Sequence, residues 1–137
     1  MLDLVISHMK TESRARPKVV LIEDNADNRE VLEIVLQSTY ETVVFDSAIE
    51  ALLRIPQENP AIVLTDLILP DLDGWQFITN LRVKGVRAPV VAVSALVFQG
   101  MRQKVIAAGF DEFVTKPIDI DILLSTIHRL LKRESSA

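Results

Sequence analysis

What most constrains this chain is a series of short apolar runs, each ending at a polar or acidic residue and each followed by a stretch with helical spacing. Val19-Val20-Leu21-Ile22 ends at Glu23-Asp24, and Ala61-Ile62-Val63-Leu64-Thr65 ends at Asp66. Pro89–Val93 ends at Ser94, and Glu112–Thr115 runs into Lys116-Pro117. Apolar runs without polar alternation suit strands covered on both faces, and strand-then-helix order is the pattern of βα units around a parallel sheet.

Strands are expected at Lys18–Ile22, Thr42–Phe45, Ala61–Thr65, Pro89–Val93 and Glu112–Thr115. The first, third and fourth are apolar enough to be central, and the more mixed second and fifth belong at the edges. The first helix follows Asp27 and places Val31, Leu32, Val35 and Leu36 on one buried face. The second follows the cap pair Asp46-Ser47 and stops before Pro56; the third begins around Gly74 and ends by Gly85. The fourth runs from about Gln99 to Ala108 with Gly109 as its stop. The fifth starts at the cap candidate Asp119 and aligns Ile120, Leu123, Leu124, Ile127 and Leu131. Right-handed crossovers then give an α/β, flavodoxin-like doubly wound (βα)5 fold, its sheet in the order 2-1-3-4-5 with helices on both faces.

At 137 residues the chain suits one domain with a real core. Residues 1–17 are read as a disordered leader, 18–132 as the domain and 133–137 as a frayed tail. The opening Met1–Met9 lacks the basic start of a signal peptide, and His8-Met9 is a dipeptide that vector junctions often leave, so a native leader and a cloning remnant both stay open. A net charge of −4 with scattered basic residues argues against a nucleic-acid surface. The absence of cysteine excludes thiol chemistry and Cys-ligated zinc and permits a reducing cytoplasm, the expected location. No run approaches the roughly 20 apolar residues of a membrane span.

In an open parallel sheet, ligands bind at the carboxyl edge, and there the chain gathers Glu23, Asp24 and Asp66. Three crowded carboxylates repel one another unless a cation joins them, which points to a Mg2+ site beside a reactive aspartate. An aspartate attacks a phosphoryl group when a divalent cation holds the incoming oxygens, giving an acyl phosphate. One acidic residue at a strand end is ordinarily a solvated loop charge; three at one edge are harder to dismiss. Ser94 and Lys116 end strands at the same edge, where a hydroxyl and an ammonium can grip phosphoryl oxygens. Pro117 constrains the direction from which Lys116 enters.

The stretches Val-Leu-Ile-Glu-Asp-Asn, Leu-Thr-Asp-Leu-Ile-Leu-Pro-Asp-Leu-Asp-Gly, Val-Ser-Ala-Leu and Phe-Val-Thr-Lys-Pro-Ile, in this order and spacing, resemble the receiver domain of two-component response regulators over about residues 18 to 131. In finer detail the chain resembles single-domain regulators and the receiver modules of hybrid histidine kinases. The resemblance implies that Asp66 accepts phosphate, that Asp24, Asp66 and the Ile68 carbonyl bind Mg2+, and that Glu23 helps through water. It casts Ser94 as the switch hydroxyl, Phe113 as the switch aromatic and Lys116 as the phosphate contact. It implies as donor a histidine kinase or histidine phosphotransfer protein. Its output is a helix 4, strand 5 and helix 5 surface that meets a downstream protein.

Two positions depart from the ordinary pattern. Ile68 and Leu96 border the phosphate in receivers, and neither can hydrogen-bond a water, so slow hydrolysis of the phosphorylated form is expected. Val97, Phe98 and Met101 extend this apolar character; an exposed patch there marks a docking rim for the kinase, the phosphotransfer protein or a dimer mate, while burial of Val97 and Phe98 in the domain's own core stays equally open. Trp75 is expected to be partly buried, while His8 and His128 look uninvolved. The competing readings are a phosphorylation-independent pseudo-receiver, an aspartate-nucleophile phosphatase and a flavin carrier. Retention of Asp24, Asp66 and Lys116 speaks against the first. The sequences Leu67-Ile68 after Asp66 and Glu23-Asp24 after the first strand speak against the other two.

Overall fold

Each apolar run forms a strand in the computed structural model, which describes residues 16–136. The strands are β1 (Lys18–Ile22), β2 (Glu41–Phe45), β3 (Ile62–Asp66), β4 (Val90–Ser94) and β5 (Glu112–Thr115). All pair in parallel, in the order β2-β1-β3-β4-β5. The mixed strands lie at the edges, as their composition predicts. Every residue of β3 and β4 is buried, Thr65, Asp66 and Ser94 included, as befits central strands covered on both faces.

The helices are α1 (Ala26–Gln37), α2 (Ala48–Glu58), α3 (Gly74–Val83), α4 (Met101–Ala108) and α5 (Ile120–Ser136). Side chains alternate along each strand, so the sheet has two cores. Val20, Ile22, Val63 and Ala92 pack against Ile55, Phe77, Leu81 and Val105 of α2, α3 and α4. Val19, Leu21, Leu64 and Val93 pack against Leu36 of α1 and Leu123 and Ile127 of α5. Most of the residues expected to line the helix faces do so, with several corrections.

Helix α1 starts before Asp27, because the Asn25 side chain accepts the Asn28 N–H and caps it. Only Leu32 and Leu36 of its expected stripe are buried; Val35 is half-buried and Val31 exposed. Helix α2 runs through Pro56 to Glu58. Pro56 lies on the exposed face and forfeits one N–H bond in the last turn, while Ile55 before it is fully buried and accepts the Asn59 N–H at 3.0 Å. Burial of Ile55 overrides the local bias against helix before proline. Helix α4 begins at Met101 instead of Gln99, since Gly100 at φ 83° breaks the helical path. In α5 it is Leu130 that is fully buried, with Leu131 beside it partly so. The helix continues to Ser136 where a frayed tail from residue 133 is expected, and Arg133 pairs with Asp111 at 3.2 Å. The expected leader, apart from Arg16 and Pro17, lies outside the described residues. No helix among the described residues is long and apolar enough to cross a membrane.

Candidate functional site

The strand register brings the predicted residues together. Ile22 is level with Thr65, Asp66 with Val93 and Ser94 with Thr115, so the ends of β1, β3, β4 and β5 form one edge. Glu23 and Asp24 follow β1 directly, Asp66 and Ser94 are the last residues of β3 and β4, and Lys116 follows β5.

Carboxylate oxygens of Glu23, Asp24 and Asp66 lie within 4.8 Å of one another. Glu23 and Asp66 are buried and Asp24 is exposed. A hard divalent cation that keeps part of its water shell suits this set: oxygen donors only, with one ligand open to solvent. The Lys116 ammonium bridges the two buried members, at 2.9 Å from Glu23 Oε1 and 2.7 Å from Asp66 Oδ2. Burial raises the Glu23 pKa and outweighs the hydrogen bond and charge of Lys116; the Asp66 charge adds to the rise. Burial opposes the Lys116 ammonium, yet the hydrogen bonds and charges of Asp66 and Glu23 outweigh it and raise the lysine pKa. The Lys116–Pro117 peptide is cis.

Three further residues fix the loops that carry these groups, and the sequence reading assigns them no such role. Arg29 Nη1 donates to the carbonyls of Glu23 at 3.0 Å and Asp24 at 3.3 Å, tying the acidic turn to α1. Asp71 accepts from Ser47 Oγ at 2.8 Å and from the Ala48 and Ile49 N–H groups at 3.2 and 2.9 Å, so the loop after Asp66 caps α2. Burial would raise the Asp71 pKa, but these bonds prevail and lower it. Gly74 donates its N–H to the Leu67 carbonyl at 2.8 Å. A Cβ on Gly74 would lie 2.6 Å from Leu67 Cδ2 and 2.7 Å from Leu67 Cα, so the turn requires glycine. Asp71 and Gly74 stand inside Pro-Asp-Leu-Asp-Gly, whose turn chemistry was the available signal.

The Ile68 N–H donates to Asp66 Oδ1 at 3.2 Å, and the Ile68 side chain is exposed. Ser94 is fully buried; its Oγ accepts the Leu96 N–H at 3.0 Å and its carbonyl accepts the Lys116 N–H at 2.9 Å. Phe113 is partly buried against the α2–α3–α4 core. Leu96, Val97 and Phe98 are exposed, but Met101 is 2% exposed and belongs to the core, so it leaves the expected apolar patch. Trp75 is partly buried as expected, edge-on to Phe110 at 6.1 Å between ring centroids. Beside the acidic cluster, a cavity of about 420 Å³ is lined by Glu23, Asn28, Val31, Lys116, Pro117 and Ile118 among others. A larger hollow of about 580 Å³ lies at the opposite sheet edge, around Pro60, Gly85 and Pro89, away from the carboxylates.

A family model described as the response regulator receiver domain matches residues 19–128. The chain belongs to that family. Among relatives of this receiver is the virulence transcriptional regulatory protein PhoP of Salmonella typhimurium, 33% identical over 119 residues, which are 86% of this chain and 53% of PhoP. The receiver therefore spans about half the length of that relative. Among solved structures it is similar to the receiver domain of Francisella response regulator 1452, with TM-score 0.82 and 28% identity over 87% of this chain and 99% of the other. It is also similar to the receiver domain of the sensor histidine kinase PA1611 of Pseudomonas aeruginosa, solved with a magnesium ion coordinated in its active-site cleft. That pair has TM-score 0.77 and 29% identity, covering 86% of this receiver and 99% of that chain.

Proposed function

We propose that this receiver accepts a phosphoryl group on Asp66 from a phosphohistidine of a histidine kinase or histidine phosphotransfer protein, and relays the change to a downstream protein. The observation that carries the reading is the meeting of Glu23, Asp24 and Asp66 within 4.8 Å, with Lys116 bonded to Asp66. Asp24, Asp66 and the Ile68 carbonyl would hold Mg2+, Glu23 would help through water, and the cation would supply charge neutralisation for the incoming oxygens. The similar kinase receiver with magnesium in its cleft supports this assignment.

In the transfer step an Asp66 oxygen forms the new O–P bond as the donor's N–P bond breaks, and the departing imidazole takes up a proton. The Ile68 N–H fixes the Asp66 carboxylate for attack, and Lys116 moves from it to the new phosphoryl oxygens. Phosphorylation brings nearly two negative charges and three strong acceptors. Ser94 then gives up the Leu96 N–H and turns to the phosphoryl group, and Phe113 follows into the vacated space, remodelling the face of α4, β5 and α5. Phosphate thus acts as a differential ligand for a minor state. The donor docks over the cavity beside Lys116, where exposed Val31 and Pro117 offer an apolar rim. A cytoplasmic site of action goes with this chemistry. Since Asp24, Asp66 and Lys116 are all present and in contact range, nothing at the site favours a phosphorylation-independent module.

The test is intact mass after incubation with acetyl phosphate and Mg2+. A gain of about 80 Da that Asp66→Asn abolishes is expected for one phosphoryl group. No gain with acetyl phosphate and none with a phosphohistidine protein would overturn the reading.

A further inference from the structure

Glu112 is a buried carboxylate with no part in the chemistry above. It sits on the edge strand β5, 5% exposed, and a buried charge persists only when paired. Its Oε1 accepts the Phe113 N–H at 2.9 Å and meets Arg102 of α4 at 2.5 Å; its Oε2 meets Arg129 of α5 at 2.6 Å. One side chain therefore joins α4, β5 and α5 immediately before Phe113.

Helix α4 has few other polar ties: Lys104 lies over the Trp75 and Phe98 rings, and Arg82 Nη2 donates to the Gly109 carbonyl at 3.0 Å. It has eight residues, no side-chain cap at its start, left-handed glycines at both ends, and Met101 and Val105 as its buried residues. It is joined to Ser94 by the segment 95–100, all exposed. Any inward movement after Ser94 must be absorbed by that segment or by α4, and the Arg102–Glu112 pair resists the second. On the other flank, Lys104 of α4 lies 5.2 Å over the Trp75 ring, so the indole senses where α4 sits.

We propose that Glu112 is a latch: by gripping Arg102 it pins α4 to β5 and holds the switch in its unphosphorylated arrangement. The statement that phosphorylation opposes the latch rests on the phosphoacceptor reading; the pinning of α4 does not. Arg102→Gln removes the α4 arm, and because Arg102 is 60% exposed and Glu112 keeps Arg129 and the Phe113 N–H, the fold survives. Arg129→Gln removes the α5 arm and leaves α4 pinned.

The experiment is amide hydrogen exchange over Met101–Ala108 in both variants, with beryllofluoride–Mg2+ affinity read from Trp75 fluorescence. Arg102→Gln is expected to speed α4 exchange about tenfold and tighten beryllofluoride binding about threefold, whereas Arg129→Gln does neither. Unchanged α4 exchange in Arg102→Gln, or equal acceleration in Arg129→Gln, overturns the latch. Faster exchange without tighter binding shows a helix clamp that does not govern the switch, and overturns the regulatory claim. If the wild type ignores beryllofluoride altogether, the phosphoacceptor reading fails, and the exchange comparison still decides whether Glu112 pins α4.

Discussion

Lys116 reaches from the end of β5 to stand 2.7 Å from Asp66 while also bonding Glu23 at 2.9 Å. A single ammonium thus bridges the two buried members of the carboxylate trio and offsets only part of their charge. Lys116→Met keeps the apolar stem and removes the charge, leaving Glu23 and Asp66 facing each other. The expected loss is about 2 kcal/mol, below the full cost of breaking a buried pair because the lysine is partly solvated. Urea unfolding with and without Mg2+ checks it: the cation should recover most of the loss in the variant and change the wild type less. Equal effects of Mg2+ on both chains would show that the lysine and the cation do not share these carboxylates.

Gly74→Ala tests how tightly the loop after Asp66 is fastened. The new methyl would lie 2.7 Å from Leu67 Cα and 3.0 Å from the Leu67 carbonyl oxygen, and backbone cannot rotate aside as a side chain can. A loss of about 2 kcal/mol is expected from overpacking, together with slower phosphorylation by acetyl phosphate as Leu67 and Ile68 are pushed off position. Full stability and full rate in the variant would show that α3 can slide away freely.

The carboxyl-edge cluster was legible because its residues sit at the ends of strands whose apolar runs are plain in the sequence. Once β1 and β3 are neighbours, Glu23 and Asp66 must be close. The central and edge places of the strands followed from the contrast between largely apolar β3 and mixed β2. Helix limits were less legible where tertiary packing overrode a local signal, as at Pro56. Met101 and Val31 exchanged their expected environments, because apolarity alone does not tell a helix's inner face from its rim. The partners of Arg29, Asp71 and Glu112 were not legible at all. Asp71 reaches Ser47 across 24 residues, and Arg102 and Arg129 converge on Glu112 from different helices, relations that only the folded chain defines.

Ile68 and Leu96 flank the site with exposed apolar side chains, 62% and 54% accessible. Neither can orient a water for attack on an aspartyl phosphate. The doubly substituted Ile68→Asn, Leu96→Gln chain is expected to lose its phosphoryl group roughly tenfold faster, below the ~100-fold or more of a general base, because an amide orients a water without taking its proton. Decay of the phosphorylated mass after donor removal gives the rate directly. An unchanged lifetime would rule out these two positions as a brake on hydrolysis.

Glu112 also sets a pH dependence whose sign is fixed by its partners. Burial would raise its pKa, but the Phe113 N–H, the Arg129 hydrogen bond and the charges of Arg102 and Arg129 outweigh burial and hold it below the ordinary 4.5. The folded state therefore binds this proton less readily than the unfolded chain. Its contribution to stability is fully present above pH 4.5 and is lost as the pH falls through the depressed value. Glu23, raised by burial, works in the opposite direction: acid protonates it first in the folded state and relieves its cost. Both side chains are present in the wild type, so the wild-type acid profile alone mixes the two. Comparison with Glu112→Gln separates them, because Glu23 is common to both chains and its part cancels. The variant should be less stable than the wild type at about pH 7, with the gap in urea midpoint closing below pH 4.5. A gap that stays constant into acid would mean that Glu112 stabilises the fold through its shape and hydrogen-bonding atoms, with no contribution from its charge.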